Sequence, residues 1–241
     1  MKVKQANWPA PKNVSALSTT RLSGFSLPPY DSFNLAEHVG DNNEHVARNR
    51  QLLKQELQLP NDPVWLNQTH STVCVVAEKD GNRDADAATT RSKQHPLAIM
   101  TADCLPITLC STQGTEIAAI HAGWRGLFNG IIENTLHTMK SEAKDLLAWI
   151  GPAICHNCYE VGEEVFQSFT SKYPESHTAF ITRNDKWMAN LPKIAEIVLN
   201  IQGIHSVYQS GLCTFELKNE LYSYRRQSNT GRIATLIWFN D

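Results

Sequence analysis

Short apolar runs, each closed by small or polar residues, dominate the middle of the chain: Leu97–Met100, Pro106–Leu109 and Ile117–Ile120. Runs of this length bounded by turn residues predict buried strands. Val14–Thr19, Val64–Leu66, Thr72–Ala77, Leu146–Ile150, Ser206–Gln209 and Ile233–Phe239 have the same character. Helical spacing appears elsewhere. Asn42 or Asn43 caps a predicted helix that runs to about Leu57, with Val46, Leu53 and Leu57 on one face. Phe128, Ile132, Leu136 and Met139 make a second stripe ending near Ser141, and Gly162–Lys172 reads as a third helix. Pro192 opens a fourth, carrying Ile194, Ile197, Val198 and Ile201, which Gly203 closes. Two stretches lack periodicity. The segment from Thr20 to Asn42 is a long irregular loop of the kind that overhangs functional sites. Lys79–Lys93, rich in Asp, Asn, Arg and Thr, is expected to be a loop without a motif.

Strands and helices are mixed along the whole length, with no strict β-α-β rhythm, no glycine-rich phosphate loop, no repeat and no linker. The expectation is one α+β domain spanning residues 1–241, a mixed-sheet core with helices outside. Charge adds an exclusion: 22 Lys plus Arg against 24 Asp plus Glu argues against a nucleic-acid or membrane-surface protein. Lys2 and Lys4 are not followed by an apolar core region, and no run approaches the roughly 20 apolar residues that span a bilayer. A cytoplasmic protein is expected.

Six cysteines, at 74, 104, 110, 155, 158 and 213, are too sparse for a disulfide scaffold and are expected to be reduced. Cys74 and Cys110 lie in apolar runs, where an inert core thiol belongs. Cys155-His156-Asn157-Cys158 could be a redox pair or half of a zinc site, but it is the only C-x-x-C in the chain, and loop cysteines without metal are the expectation.

The candidate chemistry lies at the ends of the apolar runs. Cys104, in Thr101-Ala102-Asp103-Cys104, and His121, followed by Ala122-Gly123-Trp124-Arg125-Gly126, can converge from neighbouring strands. His70, in Asn67-Gln68-Thr69-His70-Ser71, is the best third partner. Three such ligands would make an open zinc site, whose metal lowers the pKa of bound water toward about 7. The competing expectation is a core thiol beside two satisfied histidines. Small and polar neighbours (Gln68, Asp103, Gly123, Arg125) favour a pocket over a core. Asp103 could act as a general acid or base on substrate, support the site from behind, or serve as a structural carboxylate. Arg225 and Arg226 suit a phosphate or carboxylate, and because adjacent side chains diverge at most one should face the site. Arg48, Asn49 and Arg50 sit on the first helix, either as solvated surface or as part of the site.

In these motifs the chain resembles the laccase-domain purine nucleoside phosphorylases, long described as multicopper polyphenol oxidases. The resemblance rests on Leu17-Ser18-Thr19-Thr20-Arg21, Ser32-Phe33-Asn34-Leu35, Val39-Gly40-Asp41-Asn42, Asn49-Arg50, Gln68-Thr69-His70, Thr101 to Ile107, His121 to Gly126, Ile150-Gly151-Pro152, Tyr159 to Gly162, Ser223 to Arg226 and Thr230-Gly231-Arg232, in order along nearly the whole chain. It implies that His70, Cys104 and His121 bind zinc. It implies phosphorolysis of adenosine, inosine, guanosine and methylthioadenosine, adenosine deamination as a second activity, and a layered α-β-β-α fold shared with cysteine hydrolases. On that basis Asn34 and Arg50 or Arg225 are expected to hold the nucleoside, and Asp103 and Cys104 to take part in the reaction, in a monomer or homodimer acting on purine nucleosides and phosphate. One departure stands out: the family usually has Gly after the first His, and Ser71 here could narrow the pocket mouth.

A four-copper oxidase needs roughly ten His ligands, largely in His-x-His pairs, because each copper takes two or three imidazoles. The chain has nine His and no such pair, so copper is expected at most as an adventitious occupant of the zinc site. Two other functions stay open at this point. One is a hydrolase or amidase, cysteine- or zinc-dependent, acting on another substrate such as a peptidoglycan precursor. The other is a non-enzymatic zinc-binding protein, which would need a fourth ligand to close the site.

Overall fold

The structure is a computed structural model and describes residues 1–240. The first half contains β1 (Val3–Gln5), β2 (Val14–Thr19), α1 (Asn43–Glu56), β3 (Cys74–Val76), β4 (Ala87–Thr90), β5 (Leu97–Thr101), β6 (Leu105–Ser111) and β7 (Ile117–Ala122). The second half contains α2 (Trp124–Asn129), α3 (Ile131–Thr138), β8 (Leu146–Ile150), β9 (Glu160–Val161), α4 (Glu163–Lys172), β10 (Phe180–Arg183), β11 (Lys186–Ala189), α5 (Leu191–Ile201), β12 (Ser206–Gln209) and β13 (Ile233–Phe239).

Side-chain alternation along the strands sorts the core into layers. In the six-stranded sheet β12-β8-β6-β7-β4-β3, Ile107, Ile120 and Ile150 face outward and join Ile131, Ile132, Val165, Phe169, Ile194 and Val198 of α3, α4 and α5. From the same strands Cys110, Ile117, Ala119 and Leu147 face inward, onto Ala16, Ile99, Ile237 and Phe239 of the four-stranded sheet β1-β2-β13-β5. The outer face of that second sheet, Leu17, Ala98, Leu236 and Trp238, is covered by Leu53 of α1 with Phe33 and Leu35 of the irregular loop. The order of layers is therefore helix, sheet, sheet, helices, in one α+β domain. The six-stranded sheet is mixed, with β12–β8 and β3–β4 parallel and the other pairs antiparallel. The four-stranded sheet is antiparallel. A small sheet, β10-β11-β9, flanks α4.

Local chemistry explains most boundaries. The Asn42 side chain accepts from the Glu44 N–H at 2.8 Å and caps α1. Pro sits in the first turn of α5, and Gly203 takes a positive φ of 92° beyond its end. Three sequence expectations need correction. The Phe128–Met139 stripe is two helices, because Gly130 adopts a left-handed conformation (φ 103°) between α2 and α3. Val64–Leu66 contributes only an isolated bridge from Val64 to Leu97. The expected loop Lys79–Lys93 contains β4, fully buried, whose small residues pair with β7. Its Ala-Ala-Thr-Thr sequence lacks the bulky apolar residues that announce a strand, and neighbouring strands supply the burial instead.

Candidate active site and metal centre

The chain passes from one sheet to the other at 102–104, between β5 and β6. Because β6 and β7 are antiparallel, with Pro106 opposite His121 and Leu105 opposite Ala122, the residue before β6 lies beside the end of β7. This register brings Cys104 to His121, which shares the inward parity of Ile117 and Ala119. His70 arrives from the turn before β3. Gln68 pins that turn to β5, donating through Nε2 to the Met100 carbonyl and accepting from the Met100 N–H, both at 2.8 Å. The ligating atoms of His70, Cys104 and His121 lie within 4.8 Å of one another, with Cys104 Sγ 3.7 Å from His70 Nε2. His70 is exposed, Cys104 half-buried and His121 buried.

Gly123 makes this approach possible. A Cβ there would stand 2.6 Å from His70 Cδ2 and 3.2 Å from Cys104 Sγ, closer than packed side chains tolerate. His70 and Asp103 both have positive φ, 61° and 96°, and strained non-glycine backbone of this kind concentrates at functional sites.

Behind the cluster sits Asp86, wholly buried at the start of β4. Its Oδ1 lies 2.7 Å from His121 Nδ1, and the carboxylate also accepts from the N–H groups of Thr69, His70 and Ser71 and from the Ser71 hydroxyl. Burial alone would raise its pKa, but the hydrogen bonds from His121 and Ser71 outweigh it and bring the carboxyl down to about 2. With Nδ1 engaged, His121 directs Nε2 toward the cluster. Burial likewise opposes ionisation of Cys104, yet the two imidazoles pull its pKa down to about 6. A thiolate and two imidazoles aimed at one point, with a carboxylate fixing one ring, form a donor set that could hold a metal ion.

The cluster lines a cavity of about 380 Å³. Its other walls include Gln68, His38, Ile154, Tyr159, Tyr224, Arg225 and Arg232. Arg225 packs over the Tyr159 ring and donates to the Glu160 carbonyl at 3.1 Å. Arg226 turns away and donates to the carbonyls of Thr214, Phe215 and Leu221, so one of the two adjacent arginines faces the cavity. Burial, then Arg232 and Arg50, lower the pKa of His38.

Two residues expected to hold the nucleoside lie elsewhere. Asn34 is wholly buried, and its amide is used up by the Ala36 carbonyl and N–H, the Asp41 carboxylate and the Arg232 N–H. It shapes the loop and braces the segment leading to Arg232. Arg50 donates to the Leu35 carbonyl and to Glu37, and stacks over Trp65 in a separate groove. Asp103 does line the cavity, but its oxygens accept from Thr214 Oγ1 at 2.6 Å, Ser223 Oγ at 3.0 Å and the Arg225 N–H at 2.7 Å. That is the geometry of a structural carboxylate placing Arg225 rather than of a group poised on substrate.

Sequence reasoning did not single out Asp86 or His38. Asp86 is one of two aspartates in Asp84-Ala85-Asp86-Ala87, with no motif around it, and its place beside His121 appears only in the fold. His38 lies in the irregular loop expected to overhang a site, so the loop was legible and the residue was not.

A soft three-donor centre at the end of a two-sheet sandwich defines the class. The sequence pattern of the family described as multi-copper polyphenol oxidoreductase laccase matches residues 15–240, and the chain belongs to that family. It is 43% identical over 243 residues to a protein of Haemophilus influenzae named purine nucleoside phosphorylase, covering 99% of this chain and 100% of that one. It is 42% identical over 233 residues to purine nucleoside phosphorylase YfiH of Escherichia coli K12, covering 96% of each. Among solved structures, protein NMB0706 of Neisseria meningitidis superposes with a TM-score of 0.95 at 43% identity over the whole of both chains. YlmD of Geobacillus stearothermophilus does so with a TM-score of 0.88 at 28% identity, covering 95% of this chain and 93% of that one.

Proposed function

We propose that this protein is a purine nucleoside phosphorylase that holds a zinc ion on His70, Cys104 and His121. The observation that carries this reading is one cavity containing a three-ligand cluster, two arginines and two tyrosines. Phosphorolysis needs an anion site beside a flat, apolar base site, and guanidinium and phenol rings supply these. The names of the relatives from Haemophilus influenzae and Escherichia coli point the same way.

Two nitrogens and one sulfur suit zinc, with copper as an alternative occupant, and three protein ligands leave a fourth position open. A metal bound there supplies Lewis-acid chemistry toward the nucleoside. The chain's own residues do the rest. Arg225 and Arg232 hold orthophosphate for attack on the anomeric carbon, while the bond from that carbon to the purine nitrogen breaks and its electron pair leaves with the base. Tyr159 and Tyr224 present ring faces to the purine. His38, held below its ordinary pKa by burial and the nearby arginines, is neutral at pH 7 and offers one N–H and one lone pair to base or ribose. Asp103 fixes the backbone of Arg225. The substrates in this reading are adenosine, inosine, guanosine and methylthioadenosine, with adenosine deamination as a second activity of the same centre. The protein works in the cytoplasm as a monomer or homodimer; among the described residues no helix is long and apolar enough to cross a membrane.

A second reading has its own observation. Cys104, with a pKa near 6, next to His121, itself bonded to Asp86, is also the arrangement of a cysteine hydrolase with Cys104 as nucleophile and His121 as base. The experiment that separates the two is hypoxanthine release from inosine, with and without phosphate, on protein of measured zinc and copper content, beside Cys104→Ala. Phosphate-dependent release that follows zinc and vanishes with Cys104 supports the phosphorylase. Full metal loading with no release, or release indifferent to phosphate, rejects it.

A further inference from the structure

The Cys155-x-x-Cys158 pair, only half a site in the sequence, does not stand alone in the fold. The chain after β12 brings Cys213 and Glu216 against it, and the four ligating atoms lie within 4.8 Å of one another. Glu216 Oε1 is 3.8 Å from both Cys155 Sγ and Cys158 Sγ, and the Cys155 N–H points to Cys213 Sγ at 3.4 Å. A tetrahedral zinc with Zn–S of about 2.3 Å and Zn–O of about 2.0 Å needs ligand separations of about 3.5–3.8 Å, and Glu216 Oε1 already stands at about that distance from two of the three thiols.

The backbone is built for it. Ala153 bridges Cys213 in parallel, the Ala153 N–H donates to the Leu212 carbonyl at 3.2 Å, and the Thr214 N–H donates to the Ala153 carbonyl at 3.0 Å. The two segments are thus registered before any ion binds. Among the described residues Glu216 is in no ion pair, and the Arg226 guanidinium near Cys213 is spent on the carbonyls of Thr214, Phe215 and Leu221.

We propose that Cys155, Cys158, Cys213 and Glu216 form a second metal site, closed and structural, that takes zinc or another thiophilic divalent cation. Four protein ligands leave no open position, in contrast to the three-ligand centre in the cavity. Its place in the fold explains its use. Ile154 and Tyr159, immediately flanking the two cysteines, are walls of the active-site cavity. Thr214, next to Cys213, donates to Asp103 Oδ1, and the Ile154 N–H donates to the Asp103 carbonyl at 3.0 Å. An ion here clamps the 154–159 wall to the 213–216 segment and so holds the turn that carries Asp103 and Cys104.

The test is metal counting on variants that empty one centre at a time. Zinc-grown, exhaustively dialysed wild-type protein is expected to carry two equivalents. The double variant His70→Ala/Cys104→Ser, which leaves the proposed ligands untouched, is expected to keep one. Loaded with cobalt(II), that double variant should show thiolate-to-cobalt charge-transfer absorption, which Cys104 cannot contribute. Adding Cys158→Ser or Glu216→Gln, both at accessible positions, should weaken the remaining metal by tenfold or more while circular dichroism stays native. No metal and no charge-transfer band in the His70→Ala/Cys104→Ser protein overturns the proposal, as does a Cys155–Cys158 or Cys155–Cys213 disulfide in the zinc-grown protein by mass spectrometry.

Discussion

Asp86 bonds His121 Nδ1 at 2.7 Å and, with the same carboxylate, the N–H of His70 at 3.0 Å. One buried side chain therefore orients the ring of one ligand and the backbone of another. His121 and the His70 N–H share Oδ1 while Thr69 and Ser71 bond Oδ2, so Asp86→Asn, which accepts at only one oxygen, releases either His121 with the His70 N–H or the Thr69 and Ser71 groups. Metal affinity should fall about 10- to 100-fold, measured by competition with a chromophoric chelator. Stability of the metal-free form should drop by about 1–3 kcal/mol in urea melts. Unchanged affinity would show that His121 needs no such support.

Gly123→Ala tests the crowding around His70. The new methyl meets His70 Cδ2 at 2.6 Å, and the ring must leave the cluster. Bound zinc should weaken by about tenfold or more, the scale of losses from disturbed ligand orientation. The circular dichroism spectrum should remain that of the wild type.

Cys104 should be the reactive thiol once zinc has been removed by chelation. With its pKa near 6, the rate of iodoacetamide labelling rises with pH through about 6 and levels off above 7, because the thiolate is the nucleophile. Cys74 and Cys110, pushed by burial up to about 11 and about 12, should stay unlabelled at pH 7. Peptide mapping after a timed pulse, with and without restored zinc, reads this directly; labelling of Cys104 at equal rate with zinc bound would remove it from the metal centre.

The arginines divide by position. Arg225→Ala or Arg232→Ala removes charge-assisted hydrogen bonds to phosphate and should lower kcat/KM for phosphate by about 10- to 150-fold, equivalent to 1.5–3 kcal/mol. Arg50→Ala, in its separate groove, should change kcat/KM by no more than about twofold while costing about 1 kcal/mol through its lost stacking on Trp65 and its bond to Leu35. Asn34→Ala should cost about 1–3 kcal/mol of stability, because its amide bonds are all internal, and should lower kcat/KM for phosphate less than Arg232→Ala does, through the lost brace on the Arg232 N–H. Steady-state kinetics beside thermal melts separate the two kinds of effect.

Much of the fold was legible in the sequence. β2, β6, β8, β12, β13, α1, α4 and α5 follow from local periodicity and caps, because their apolar residues meet the same neighbours at every turn or alternate position. β4 and the break at Gly130 were not legible, since Ala87 and Ala88 carry almost no hydrophobic signal of their own, and Gly130 interrupts a stripe that would otherwise run on. The site divides in the same way. His70, Cys104, His121 and Arg225 lie where short apolar runs and turns announce a pocket, and the structure gathers them on one cavity. Asn34 and Arg50 had equally suggestive surroundings, but their side chains are spent on bracing a loop.

What the sequence alone determined is the set of elements and the soft donors at their ends, because periodicity and residue chemistry are local properties. What only the tertiary structure decided is which distant groups share a point in space: Asp86 behind His121, Arg232 across from Cys104, and Cys213 with Glu216 beside Cys155 and Cys158. Those pairings depend on strand register and on the crossing between two sheets. They are settled by packing the whole chain at once, which no short stretch of it encodes.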